Sequence, residues 1–106
     1  KEIAAMAEPY FVAVSPHNYN STTIGLGATI QVSATISNFL ITEYFVNFEA
    51  FAKSVMLHPF KVQDGYIKLP ESPGLGVELD EDSLSRYPYS MQAMKQYRQF
   101  NEELPH

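Results

Sequence analysis

His17 and Glu43 are the two residues whose types and placement offer chemistry. Each stands just past a short apolar run, YFVAV at residues 10–14 and NFLIT at residues 38–42. An imidazole ordinarily titrates at about 6.5, so a histidine trades protons near neutrality. A carboxylate beside it orients a substrate or shares a hydrogen bond. Residues 9–42 contain no Asp, Glu, Lys or Arg, which makes Glu43 the first charge after thirty-four uncharged positions. Were both runs parallel strands, roughly 4.8 Å apart, the two groups would face one pocket at the carboxyl ends, where α/β folds gather ligands. The same spacing also suits two solvated loop residues. Spacing alone leaves both readings open.

The elements that must position this pair follow from hydrophobic pattern. KEIAAMAE reads as the tail of an amphipathic helix with Ile3, Met6 and Ala7 on one face. YFVAV, closed by Ser15-Pro16, and NFLIT read as strands buried on both faces, hence a parallel sheet with helical crossovers. Residues 24–36 alternate apolar and small polar side chains, formally a strand pattern. Thirteen residues exceed the usual strand length of about five or six, the cluster Asn20-Ser21-Thr22 supplies helix N-cap candidates, and a parallel crossover is usually helical. A helix is therefore expected there, tight against a sheet. Beyond Glu43, FEAFAKSVM suggests a short helix and Asp64-Gly65 a hairpin turn. SPGLGVEL reads as irregular, Asp80 as a helix cap, and residues 91–103 as a helical tail with Met91, Met94, Tyr97 and Phe100 in one stripe.

Composition narrows the function classes. Seven Lys and Arg against twelve Asp and Glu give a net charge of −5 with no basic cluster, which argues against nucleic acid or an anionic membrane surface as partner. The 106 residues, 45% hydrophobic, suffice for a modest core. Without cysteine there is no disulfide, thiolate metal site or thiol nucleophile. No run approaches the roughly 18 unbroken apolar residues of a membrane span, and no basic region with an apolar run marks a signal peptide. The chain opens on Lys1 in what reads as mid-helix, so we expect a piece of something longer. The uncharged stretch implies cover on most sides, from oligomerisation or from the body of a larger fold.

Other motifs fall away. Gly74-Leu75-Gly76 lacks the third glycine of a dinucleotide fingerprint. Asn20-Ser21-Thr22 matches a glycosylation acceptor without a secretion signal, and Ser15 and Ser21 lack a nucleophile elbow. His58 and His106 read as surface residues, and Asp80-Glu81-Asp82 as a solvated helix start.

SPHN at residues 15–18, SNFLITEYF at 37–45 and DGYIKLPESPGLGVELDEDSLSRYPY at 64–89 together resemble the C-terminal portion of the mandelate racemase/muconate lactonizing branch of the enolase superfamily. The resemblance covers residues 3–89 and is greatest to the acid-sugar dehydratases. It implies an α/β fold, the C-terminal part of a (β/α)8-type barrel. Residues 1–57 would supply the seventh and eighth strand-helix units, and residues 58–106 the hairpin, Gly/Pro segment and tail returning toward a capping domain. On this resemblance His17 takes the place of the histidine acid/base after the seventh strand, and Glu43 that of the acidic residue after the eighth. Asn18 and Tyr44 become candidates for sugar-hydroxyl contacts. The resemblance further implies Mg²⁺, a Lewis acid toward an enediolate, with its ligands outside this segment, as are the family's Lys base and the Asp partner of the histidine. The implied protein is a cytoplasmic lyase that takes a proton α to the carboxylate of an acid sugar and eliminates water, inactive as the isolated piece and homo-oligomeric at full length. A cycloisomerase or racemase of the same superfamily, or a non-catalytic module keeping the barrel architecture, are the competing expectations.

Overall fold

A computed structural model describes residues 1–19 and 21–91. The first helix, α1 (Glu2–Ala7), runs into a 3-10 turn at Glu8–Tyr10, where Pro9 suits the first turn and Phe11 closes it at a φ of 56°. Its inward face differs from expectation. Ala4 is buried, whereas Ile3 and Met6 are 80% and 74% exposed.

The two apolar runs lie parallel, as their composition predicts, but as one isolated bridge, Val14 to Phe39, rather than as strands buried on both faces. Val14 N–H donates to the Asn38 carbonyl at 2.8 Å, Leu40 N–H to the Val14 carbonyl at 3.0 Å, and Glu43 N–H to the Pro16 carbonyl at 3.3 Å. Phe11, Leu40 and Ile41 are 98%, 67% and 63% exposed. A parallel strand is covered only when further strands and helices flank it, and the described residues supply a single parallel bridge. The Asn38 side-chain amide braces this corner, donating to the Ala4 and Val12 carbonyls at 3.0 and 2.9 Å.

The alternating segment is helical: α2 spans Thr23–Ser33, with Thr22 at the N-cap in extended conformation. Its buried residues are Thr23, Leu26, Gly27, Ile30 and Ser33, a stripe of helical period that the formal alternation concealed. Thr29 and Ser33 hydroxyls donate to carbonyls four residues back, at 2.9 and 2.7 Å, so these polar side chains satisfy themselves within the helix. The close approach at Gly27 is made not to a sheet but to the Gly/Pro segment, where an added Cβ would lie 2.6 Å from Val77 Cγ2.

A 3-10 turn at Val46–Phe48 leads into α3 (Glu49–Ser54). The Thr23 hydroxyl ties α2 to α3 by donating to the Ala52 carbonyl at 3.2 Å. β1 (Val62–Gln63) and β2 (Tyr66–Ile67) form the antiparallel hairpin that Asp64-Gly65 calls for, with φ values of 52° and 80° at those two residues. The chain returns through an antiparallel bridge from Met56 to Leu79, with Leu57 N–H on the Glu78 carbonyl and Asp80 N–H on the Val55 carbonyl, both at 3.0 Å. Asp80 caps α4 (Glu81–Leu84), accepting from Ser83 N–H at 3.0 Å and from the Ser83 hydroxyl at 2.6 Å. Met91 is exposed, and the rest of the expected tail stripe lies outside the described residues. Among the described residues no helix is long and apolar enough to cross a membrane.

Candidate active site

The parallel bridge brings the two sequence-predicted residues together. His17 Nε2 lies 3.4 Å from Glu43 Oε2, with the imidazole 81% and the carboxylate 41% exposed. Three further bonds zip the two strand ends. Asn18 N–H donates to Glu43 Oε2 at 2.9 Å, and both Glu43 N–H and the Thr42 hydroxyl donate to the Pro16 carbonyl at 3.3 Å. An ion pair this exposed contributes about 0–1 kcal/mol, so its significance is orientation: the backbone holds the carboxylate where a protonated imidazole meets it.

Rings extend the arrangement. Tyr19 stacks on His17 with centroids 6.3 Å apart and planes 24° apart, and Phe45 packs on Tyr19 at 4.6 Å. The contacts continue through Phe48 and Phe51 to Tyr87 beside α4.

Asn18 and Tyr44 also fall close to the pair, yet they line a cleft behind it that His17 and Glu43 do not line. Asn18 is 3% exposed, and its Oδ1 has no hydrogen-bond partner among the described residues. The Tyr44 phenol is pushed up, first by burial and then by the charge of Glu49. Glu49 is held below the usual carboxylate range by its hydrogen bond with Lys53, and the same bond raises Lys53. Sequence reasoning missed Glu49 and Lys53. Their i,i+4 spacing in EAFAK is the signal that marks them as a helix-surface pair.

His58 is exposed and 4.0 Å from Glu78, while His106 lies outside the described residues. Asp80 and its acidic neighbours start α4. Among the described residues no group of three or more His, Asp or Glu side chains could hold a metal ion.

Comparison with known proteins places this geometry in context. The family described as enolase C-terminal domain-like matches residues 1–83. A D-galactonate dehydratase family member from Streptomyces bingchenggensis is 36% identical over 84% of this chain and 22% of its own length. A D-xylonate dehydratase from Haloferax volcanii is 34% identical over 82% of this chain and 21% of its own. A crystal structure of a candidate mandelate racemase/muconate lactonizing enzyme from Burkholderia SAR-1 superposes with a TM-score of 0.78 at 36% identity, covering 87% of this chain and 23% of that one. The chain thus spans about a fifth of the length of the curated relatives it matches, 22% and 21% for the first two.

Proposed function

The chain belongs to the enolase C-terminal domain-like family, and from that premise we propose that it supplies the seventh and eighth strand-helix units of a (β/α)8 barrel in an acid-sugar dehydratase. Residues 1–57 form those units, and residues 58–106 return toward a capping domain. The dehydratase relatives support the substrate class. The exposed Phe11, Leu40 and Ile41 suit burial by the rest of a barrel, in a full-length protein that assembles with copies of itself.

One observation carries the catalytic reading: the 3.4 Å approach of His17 Nε2 to Glu43 Oε2 at the carboxyl ends of paired parallel segments. His17 takes the proton α to the substrate carboxylate, or in its protonated form gives one to the departing β-hydroxyl, so that a C–O bond breaks and water leaves. Glu43, fixed by the Asn18 N–H, orients the imidazole and the substrate. Asn18 and Tyr44 serve the sugar end from behind the pair. The described residues do not fit a Mg²⁺ site, since no cluster of ligands is present among them. The magnesium that the family resemblance implies would take its ligands from outside this segment.

The test is turnover of a panel of sugar acids by the 106-residue chain and by the chain extended at its N-terminus with the preceding barrel units. The extended chain turns over at least one sugar acid, and the 106-residue chain none. In the extended chain His17→Asn lowers the rate about 10²–10⁴-fold, the worth of a positioned acid/base, with circular dichroism unchanged. An unchanged rate would remove His17 from the chemistry, absence of turnover by the extended chain would favour a non-catalytic module, and turnover by the short chain alone would remove the proposal that it needs the remaining barrel.

A further inference from the structure

The proposed chemistry requires the His17 imidazole to stand in a fixed plane, and one contact at one atom does not set a plane. The imidazole is 81% exposed, and its polar contact among the described residues is Glu43 Oε2, 3.4 Å from Nε2. A ring held at one atom still turns about it. A second contact comes through the ring face. Tyr19 lies nearly parallel to His17, with planes 24° apart and centroids at 6.3 Å, inside the roughly 4.5–7 Å range of aromatic pairs. Tyr19 is 53% exposed and is itself braced. Phe45 packs on it at 4.6 Å with planes 53° apart, and Phe48 packs on Phe45 at 5.2 Å. Both phenylalanines also line the cleft behind the pair.

The sequence spaces these groups alike in the two segments. Tyr19 follows His17 by two residues and Phe45 follows Glu43 by two, the spacing that puts side chains on one side of an extended chain. Asn18 and Tyr44, which lie between, line the cleft. The rings therefore meet for the same reason that imidazole and carboxylate meet. We propose that Tyr19 is a positioning residue: its ring, braced by Phe45, holds the plane of the His17 imidazole so that Nε2 stays turned to Glu43. The role needs a flat face and not the phenol hydroxyl. That the held ring trades a proton with a sugar acid rests on the dehydratase reading; that Tyr19 holds it does not. An aromatic pair shifts a rotamer ratio about two- to tenfold, which sets the size of the expected effects.

The test reads His17 side-chain rotamers in the isotope-labelled 106-residue chain, from scalar couplings and from cross-relaxation between the His17 and Tyr19 rings. In the unmodified chain one rotamer dominates and the ring-to-ring cross-peak is present. Tyr19→Phe keeps both. Tyr19→Leu, apolar but without a flat face, raises the ratio of minor to major rotamers about two- to tenfold. In the N-terminally extended chain Tyr19→Leu lowers kcat by the same factor with KM unchanged, and Tyr19→Phe keeps the unmodified rate. The proposal is overturned by a missing ring-to-ring cross-peak, or by an unaltered rotamer ratio or kcat in folded Tyr19→Leu. It is equally overturned by a loss in Tyr19→Phe, which would assign the role to the hydroxyl, or by a rise in KM at constant kcat, which would make Tyr19 a substrate contact. An unmodified extended chain without turnover would remove the dehydratase reading, and the rotamers would still decide whether Tyr19 holds the ring. Should Tyr19→Leu not fold, the cross-peak of the unmodified chain and the rotamers of Tyr19→Phe decide.

Discussion

Residues 10–45 and residues 55–91 each pair their backbone through a long-range bridge, and they differ in how much local closure supports it. In the first region the bonds that matter cross about 25 residues of sequence, as between Val14 and Asn38 or Asn18 and Glu43. They form one ladder and leave Phe11 and Leu40 in water. In the second region one bridge, Met56 to Leu79, also reaches far along the chain, but a two-residue turn at Asp64-Gly65 and a cap spanning Asp80 to Ser83 close over a few residues. The difference separates structure the chain dictates locally from structure it only prepares for. The candidate active site belongs to the prepared kind.

The largest effect expected from breaking this contrast comes from extending the chain with the preceding barrel units. Burying a side chain such as Leu40 or Phe11 contributes about 1.5–3 kcal/mol each, so amide exchange at Val14 and Leu40 should slow by orders of magnitude. The β1–β2 hairpin, whose bonds are already closed, should change little. Equal protection of both regions in the short chain would remove the contrast.

A smaller effect probes the contact between the regions. In Gly27→Val, the new Cβ would fall 2.6 Å from Val77 Cγ2 and 3.4 Å from the Leu75 carbonyl oxygen. The valine side chain can shift but the backbone behind it resists, and overpacking of this kind costs roughly 1–3 kcal/mol. Thermal unfolding should report that loss, and exchange at Leu57 and Asp80, the donors beside the Met56–Leu79 bridge, should quicken before the hairpin does. An unchanged midpoint would mean that α2 and the Gly/Pro segment are not in close contact.

The same division explains what could be read in advance. Asp64-Gly65 and Asp80 announce their conformations because left-handed φ values and N-terminal capping select residue types at single positions. The helix over residues 23–33 was legible from crossover length, yet its partner was not, because small residues permit close approach without naming what approaches. The strands around Val14 and Phe39 were legible as parallel partners and misleading as buried ones, since burial depends on neighbours that apolar composition only implies. His17 and Glu43 could be paired by their places after the two runs. The proximity of Tyr44 to the Glu49–Lys53 pair could not, because it joins a strand end to a helix that the sequence places nowhere in particular.

The smallest expected effect tests the local region by acid. Asp80 is held below its ordinary value of 3.8, first by the Ser83 hydroxyl, then by the Ser83 N–H, with Arg86 adding a smaller attraction. A carboxylate with a lowered folded value binds protons less readily folded than unfolded, so the stability it contributes is present above 3.8 and is lost as pH falls through the folded value. Glu49 and Glu71 are lowered as well, by Lys53 and Lys68, so the fall in stability of the unmodified chain below pH 4 sums several groups. Asp80→Asn isolates one of them, because asparagine caps a helix about as well as aspartate but carries no charge. Thermal midpoints measured from pH 6 down to pH 2 should therefore lie lower for the variant above 3.8 and converge with the unmodified chain in acid. Curves that run parallel throughout would show that the cap acts through shape alone, and would leave the local region held by turn geometry without help from charge.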